Sequence, residues 1–202
     1  LGGTDYGLQC VIDDQNAIYG QVNLSLPSSG LVRVRFYIDT NGLTMADQDS
    51  FPVARLETLA DWICQVRLEY ESSAYYLTPS VQDDTSSAWE VGKTSVSDGV
   101  HYVEFLIEQA STDTSADGAF TVWIDGTYQG ARTTLDNYDY QDAVDRLIMG
   151  ALAGIDAGTS GTIYLDELVI RSDDTEIGPN PTYRAKKRHL GQAIGLGLKI
   201  GF

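Results

Sequence analysis

Sulfur and imidazole are scarce in this chain: its 202 residues include 2 Cys, 2 Met and 2 His. So few Cys and His argue against a zinc ribbon or a Cys/His-rich metal scaffold. No stretch approaches the roughly 20 apolar residues that a membrane-spanning helix needs. Positive charge is also sparse, with 13 Lys+Arg against 29 Asp+Glu and a net charge of −16. That field repels phosphate backbones and argues against nucleic-acid binding by the body of the protein. Helical periodicity is weak throughout, leaving room for a turn or two around 43–49 or 138–145. The 20 glycines form no phosphate-binding loop.

What is present is strand chemistry. At 43% hydrophobic and 21% charged, the chain can bury a core, and its length suits one all-β domain. Residues 30–39 alternate Arg33 and Arg35 with Val32, Val34 and Phe36, the period of a half-buried strand. Similar runs rich in Val, Ile, Tyr, Phe and Thr fall near 6–12, 17–26, 51–57, 62–71, 74–81, 100–108, 119–125, 145–150 and 162–171. Turn chemistry separates them: Asn41-Gly42, Asp98-Gly99, Asp117-Gly118 and Asp125-Gly126. Asp125-Gly126, between Val122-Trp123-Ile124 and Tyr128, predicts a tight hairpin. Many short strands without crossover helices predict an all-β, antiparallel two-sheet jelly-roll sandwich with a C-terminal extension.

The charge divides the chain. Residues 179–202 hold five basic side chains and no acid, whereas the first 178 hold 8 basic and 29 acidic, a net −21. Gly178-Pro179-Asn180-Pro181 opens the basic part, so the reading is a body over 1–178 and a tail over 179–202. In the tail, Ile194, Leu196, Leu198, Ile200 and Phe202 alternate with Gly195, Gly197, Lys199 and Gly201. That period fits a strand with one apolar face, which must pair with something. With Arg184, Lys186, Lys187 and Arg188 complementing the acidic body, these residues are expected to form an assembly strand docking in cis or in trans.

Three further segments resemble a known family. Phe120-Thr-Val-Trp-Ile-Asp-Gly126, Asp145-Arg-Leu-Ile-Met-Gly150 and the run from Gly154 to Glu167 resemble laminin-G-like jelly rolls of the concanavalin A-like lectin/glucanase superfamily, as found in bacterial surface or secreted proteins. Arg35–Asp47 and Glu176-Ile-Gly-Pro179 resemble the same group, so the resemblance spans roughly 6–179. Because this fold hosts lectins, hydrolases, adhesion modules and spacers, it leaves activity to the site residues.

Glycoside hydrolysis normally needs two carboxylates on one cleft. Glucanases of the superfamily carry them as a Glu-x-Asp-x-(x)-Glu strand, and no such run is present. Asp166 and Glu167 are adjacent, so on a regular strand they face opposite ways. Glu104 and Glu108 could share a face, but exposed strand acids are usually just solvated. His101 lies in a strand start that in the resembled family is structural, and His189 lies in the basic tail. The expectation is therefore a non-enzymatic domain.

Two kinds of ligand remain. Calcium is a candidate through Asp166, whose strand Tyr164-Leu-Asp-Glu-Leu168 resembles carbohydrate-binding modules in which the first acid ligates the ion, with Asp14 as partner. Glycan is a candidate through Trp89 and the loop residues Asp136, Asn137, Tyr138 and Tyr140, which offer rings to stack and groups to hold hydroxyls. Cys10 and Cys64 fit either one disulfide or two buried thiols. The leading expectation is a structural, surface-display subunit that self-assembles through its C-terminal strand into a filament, surface layer or virion component. The alternative is a carbohydrate-binding, lectin-like module of a secreted protein, with calcium as a candidate cofactor; a third is an unrecognised glycan-active enzyme. All place the chain outside the cell, on a cell surface or on a virion.

Overall fold

A computed structural model describes residues 7–25, 27 and 29–180. Among the described residues thirteen strands form two antiparallel sheets, with one short helix between them in the chain: β1 (Leu8–Ile12), β2 (Ile18–Asn23), β3 (Leu31–Asp39), β4 (Ser50–Glu57), β5 (Trp62–Glu71), β6 (Ala74–Gln82), β7 (Ala88–Glu90), β8 (Thr94–Val96), β9 (Val100–Glu108), β10 (Gly118–Ile124), β11 (Thr127–Leu135), α1 (Tyr138–Asp142), β12 (Arg146–Ala151) and β13 (Gly161–Arg171). Sheet I runs β1-β13-β3-β9-β10-β11. Sheet II runs β2-β12-β4-β5-β6-β7, with β8 also pairing with β6. This is the expected jelly-roll sandwich.

Period-2 sequence sets the core. Val32, Val34, Phe36 and Ile38 of β3, with Val103, Phe105 and Ile107 of β9, face Leu56, Val66, Leu68, Leu77 and Val81 of sheet II, and all are buried. Burying such side chains contributes about 1.5–3 kcal/mol each, against which chain ordering is offset. The Asp125-Gly126 turn joins β10 to β11 with φ of 52° and 77°, the double left-handed geometry of a type I′ hairpin.

Three elements differ from the sequence reading. The short strands β7 and β8 hold too few residues to show a period. The turn between β5 and β6 is Ser72-Ser73, again with both φ positive (52° and 66°), a type I′ geometry without the Gly or Asn that announces one. Third, Arg33 and Arg35, expected on the polar side of a half-buried strand, are both buried.

The burial of Arg33 and Arg35 has a long-range cause. After β13 the chain turns back over the outer face of sheet I. The Arg33 guanidinium donates to the Asp174 carbonyl at 2.9 Å and pairs with Glu104. The same Glu104 oxygen accepts from the Ile177 N–H at 3.0 Å, and the other oxygen accepts from the Gly178 N–H at 2.8 Å. The Asn180 N–H donates to the Tyr37 hydroxyl at 2.8 Å, and its side-chain amide donates to Glu167 at 2.5 Å. Residues 172–180 thus strap this face. Glu104, considered from sequence as a solvated or catalytic acid, is committed to holding the strap.

Candidate functional site

With the outer face of sheet I strapped, the outer face of sheet II is the open one. Register aligns a polar row across it: Gln21 of β2 opposite Ile148 of β12, Ile148 opposite Arg55 of β4, Arg55 opposite Gln65 of β5, Gln65 opposite Ser80 of β6, and Ser80 opposite Glu90 of β7. The neighbouring row sets Arg67 opposite Thr78, and the next sets Glu69 opposite Tyr76. These positions alternate with the core residues, so strand period alone turns them outward.

The long side chains are fixed by one another. Arg55 donates from Nε at 3.2 Å and Nη2 at 3.0 Å to the Gln65 amide oxygen. Glu57 bridges Arg55 at 3.5 Å and Arg146 at 3.0 Å. Arg67 joins Glu69 and Glu90, both at 2.6 Å. Lys93 joins Glu69 at 2.9 Å and Glu71 at 2.6 Å, and those carboxylates, Glu71 foremost, hold its ammonium well above the usual lysine range. The Lys93 Nζ also lies 4.9 Å from the centre of the Tyr76 ring, a cation–π contact. Tyr19 of β2 is 52% exposed and lies opposite Gly150 of β12.

Hydrogen-bonding capacity is left over at the middle of this face. The hydroxyls of Thr78 and Ser80 and the Nε of Arg67 are buried and make no hydrogen bond among the described residues. The Gln65 amide oxygen is taken by Arg55, whereas its NH2 donates to no described residue. Buried polar groups are nearly always paired in native proteins. Three of them, the Arg67 Nε and the Thr78 and Ser80 hydroxyls, lie close together beneath the ion-pair network of this face.

The glycan residues expected from sequence sit elsewhere. Asn137 is fully buried. Its side chain accepts from the Ala110 N–H at 2.8 Å and donates to the Glu108 carbonyl and the Gln141 amide. It is an interior bracket, not a ligand group. Trp89 packs against the core, and the Arg132 guanidinium lies 4.4 Å from its ring centre, so that face is taken. Tyr140 is tied by its hydroxyl to Ser86 at 2.6 Å and by its N–H to Asp84 at 2.8 Å. The Asp136 carbonyl accepts from the Asp84 N–H at 2.7 Å, and the Tyr138 carbonyl accepts from Gln109 at 3.1 Å. The loop from 136 to 140 is therefore a clamp binding the end loops together. Burial, with Asp84, Asp83, Asp139 and Asp113 nearby, pushes the Asp136 carboxyl above its ordinary range.

The proposed calcium pair does not meet. β1 and β13 run antiparallel with Leu8 opposite Leu165 and Ile12 opposite Gly161. Asp14 therefore lies past one end of this ladder and Asp166 at the other, roughly 20 Å apart at strand rise. The Asp14 carboxylate caps its own turn, accepting from the Asn16 N–H at 2.8 Å and the Asn16 amide at 2.5 Å. Among the described residues no group of three or more His, Cys, Asp and Glu is arranged to hold a metal ion. Cys10 in sheet I and Cys64 in sheet II are both buried free thiols.

Sequence reasoning did not single out a third arrangement. His101 places Nδ1 2.6 Å from an Asp125 carboxylate oxygen, and its Nε2 lies 3.0 Å from the Ser97 hydroxyl. The same Nε2 lies 3.1 Å from the Ser97 carbonyl. The imidazole thereby ties the turn that carries Ser97 to the turn that carries Asp125. Ser97 and Asp125 flank it from separate turns, which sequence spacing does not reveal.

No protein-family model matches this chain, and no curated protein matches it. Solved structures do. It is similar to an endo-β-1,4-glucuronan lyase from the fungus Trichoderma reesei, at 15% identity and a TM-score of 0.55, over 82% of this chain and 79% of that one. It is also similar to a mutant alginate lyase in complex with alginate trisaccharide, at 12% identity and 0.56, over 82% and 80%. A third match, at 11% identity and 0.57, covers 84% of this chain and 21% of a bifunctional GH43-CE protein from Bacteroides eggerthii. The class these matches define is the jelly-roll sandwich; they do not single out the laminin-G-like branch.

These matches correct two expectations. The self-assembling structural subunit gives way to a carbohydrate-related reading, because the structures sharing this sandwich include polysaccharide lyases. The expected assembly residues Arg184, Lys186, Lys187, Arg188, Ile194, Leu196, Leu198, Ile200 and Phe202 lie outside the described residues. The expectation of a non-enzyme is overturned by the same lyases. The missing carboxylate pair spoke only to hydrolysis, and a lyase cleaves by elimination. Among the described residues no helix is long and apolar enough to cross a membrane.

Proposed function

We propose that this domain recognises polysaccharide across the outer face of sheet II, outside the cell. The observation that carries the reading is the Gln65 amide NH2, which donates to no described residue, on a face whose charged side chains are already fixed by ion pairs. Rigid strands hold such groups with less ordering cost than loops do. Tyr19 at the margin, 52% exposed, supplies a ring for the apolar face of a sugar. The oligosaccharide complex of a similar alginate lyase supports a glycan as the occupant. Within the jelly-roll class, we read the domain as laminin-G-like on the order of its motifs from 120 to 167.

Affinity electrophoresis and calorimetry against a panel of soluble polysaccharides test this. Wild-type protein is expected to bind at least one of them. Gln65→Ala with Tyr19→Ala should weaken binding by about tenfold or more, as expected for loss of the main contacts, with unfolding curves confirming a folded variant. Reducing-end and unsaturated-product assays on the same panel decide whether cleavage follows binding. Binding that survives those substitutions unchanged, or no binding at all, overturns the assignment.

A further inference from the structure

We infer that the outer face of sheet II selects uncharged glycans over polyuronides, an inference that rests on the glycan-binding reading above. The four cations of this face are Arg55, Arg67, Lys93 and Arg146, and each is within 4 Å of a carboxylate drawn from Glu57, Glu69, Glu71 and Glu90. Each of these four cations is matched by a carboxylate, so the face offers a polyanion no cation that is not already held. Glu57 and Glu69 each bridge two cations, and both are buried, so they are built into the sheet surface rather than trailing in solvent.

A uronate carboxylate arriving here would have to displace a glutamate from a cation it already holds. Otherwise it would lie within a few ångströms of that glutamate, where like charges repel. Neither cost falls on a sugar hydroxyl, which needs only donors and acceptors. The Gln65 NH2 and the exposed Gln21 amide are neutral groups of that kind in one row of the face. The wider field points the same way: the first 178 residues carry a net −21, which repels a polymer bearing one negative charge per sugar. The lyases that share this sandwich are named for acidic polymers, glucuronan and alginate, so the face separates this chain from them in substrate class.

The test is calorimetric titration of the wild-type protein with xylan, mixed-linkage β-glucan and galactomannan, and with alginate and polyglucuronate, at low and high salt. The expected result is binding to a neutral polymer, changing by less than about twofold across the salt range because no ion pair forms, and no binding to either polyuronide. The variant Glu57→Gln with Glu69→Gln, which uncovers the cations, should gain salt-sensitive polyuronide binding. Should that variant fail to fold, the wild-type salt series decides alone. Polyuronide binding by wild type that fades with salt overturns this inference and leaves the glycan reading standing. Neutral binding that weakens strongly with salt overturns it too, and failure to bind any polymer overturns both.

Discussion

Glu104 and Gly178 are joined by a hydrogen bond, the Gly178 N–H donating to the Glu104 carboxylate at 2.8 Å across 74 positions of sequence. With Arg33 on its other flank, Glu104 turns the end of the described chain into a cover for sheet I. Glu104→Ala leaves the Arg33 charge buried without its partner and should cost about 3–5 kcal/mol. Denaturant unfolding measures it, and a loss below about 1 kcal/mol, the usual value for an exposed pair, would show that the strap contributes little.

Ser73 holds φ of 66° in the turn between β5 and β6. A residue with a Cβ is strained there by about 1–2 kcal/mol. Ser73→Gly should therefore raise stability by about 1 kcal/mol after the added freedom of the unfolded chain is offset. A lower melting temperature would mean that the serine makes a compensating contact.

Asp136 is held above the ordinary aspartate range by burial and by its acidic neighbours. Its folded form takes up a proton more readily than its unfolded form. Stability therefore falls as pH rises from about 4, the unfolded value, through the raised folded value, and the penalty persists at neutral pH. Asp136→Asn should melt higher than wild type at pH 7, with the difference vanishing near pH 3. Asp98 works the other way: the Gly42 N–H and the Thr40 hydroxyl lower it, so its contribution is full above about pH 4 and is lost as pH falls through its lowered value. Thermal melts from pH 3 to 8 test both.

Burial pushes both thiols up, Cys64 most strongly and Cys10 in the same direction. A thiol kept protonated and out of solvent does not react. Neither should label with a thiol reagent until the protein unfolds, and reducing agent should leave the melting temperature unchanged. Rapid labelling of the native protein would contradict the burial of these side chains.

Much of the fold is legible in the sequence. The alternation over 30–39, the Asp125-Gly126 turn and the spacing of the turn residues give the sandwich, because each is a local consequence of strand period and left-handed φ. The Ser72-Ser73 turn escapes notice since serine advertises no such geometry. The candidate site is less legible. Gln65, Arg67, Thr78 and Ser80 read as the polar side of two strands, and nothing local distinguishes them from solvated surface. Trp89 and Asn137 carry suitable chemistry, yet the fold commits both, one to the core and Arg132 and one to buried hydrogen bonds.

Alternation by itself determined which residues of each strand face together, since neighbouring side chains must point to opposite sides of a pleated sheet. It also determined the acidic body and the basic end of the chain, because charge is a property of composition. Only the tertiary structure decided which of the two outer faces stays open. That choice depends on residues 172–180 returning over Arg33 and Glu104, and on Arg67 meeting Glu90, Lys93 meeting Glu69 and Glu71, and Arg146 meeting Glu57. Both are contacts between positions far apart in the chain, where local period carries no information.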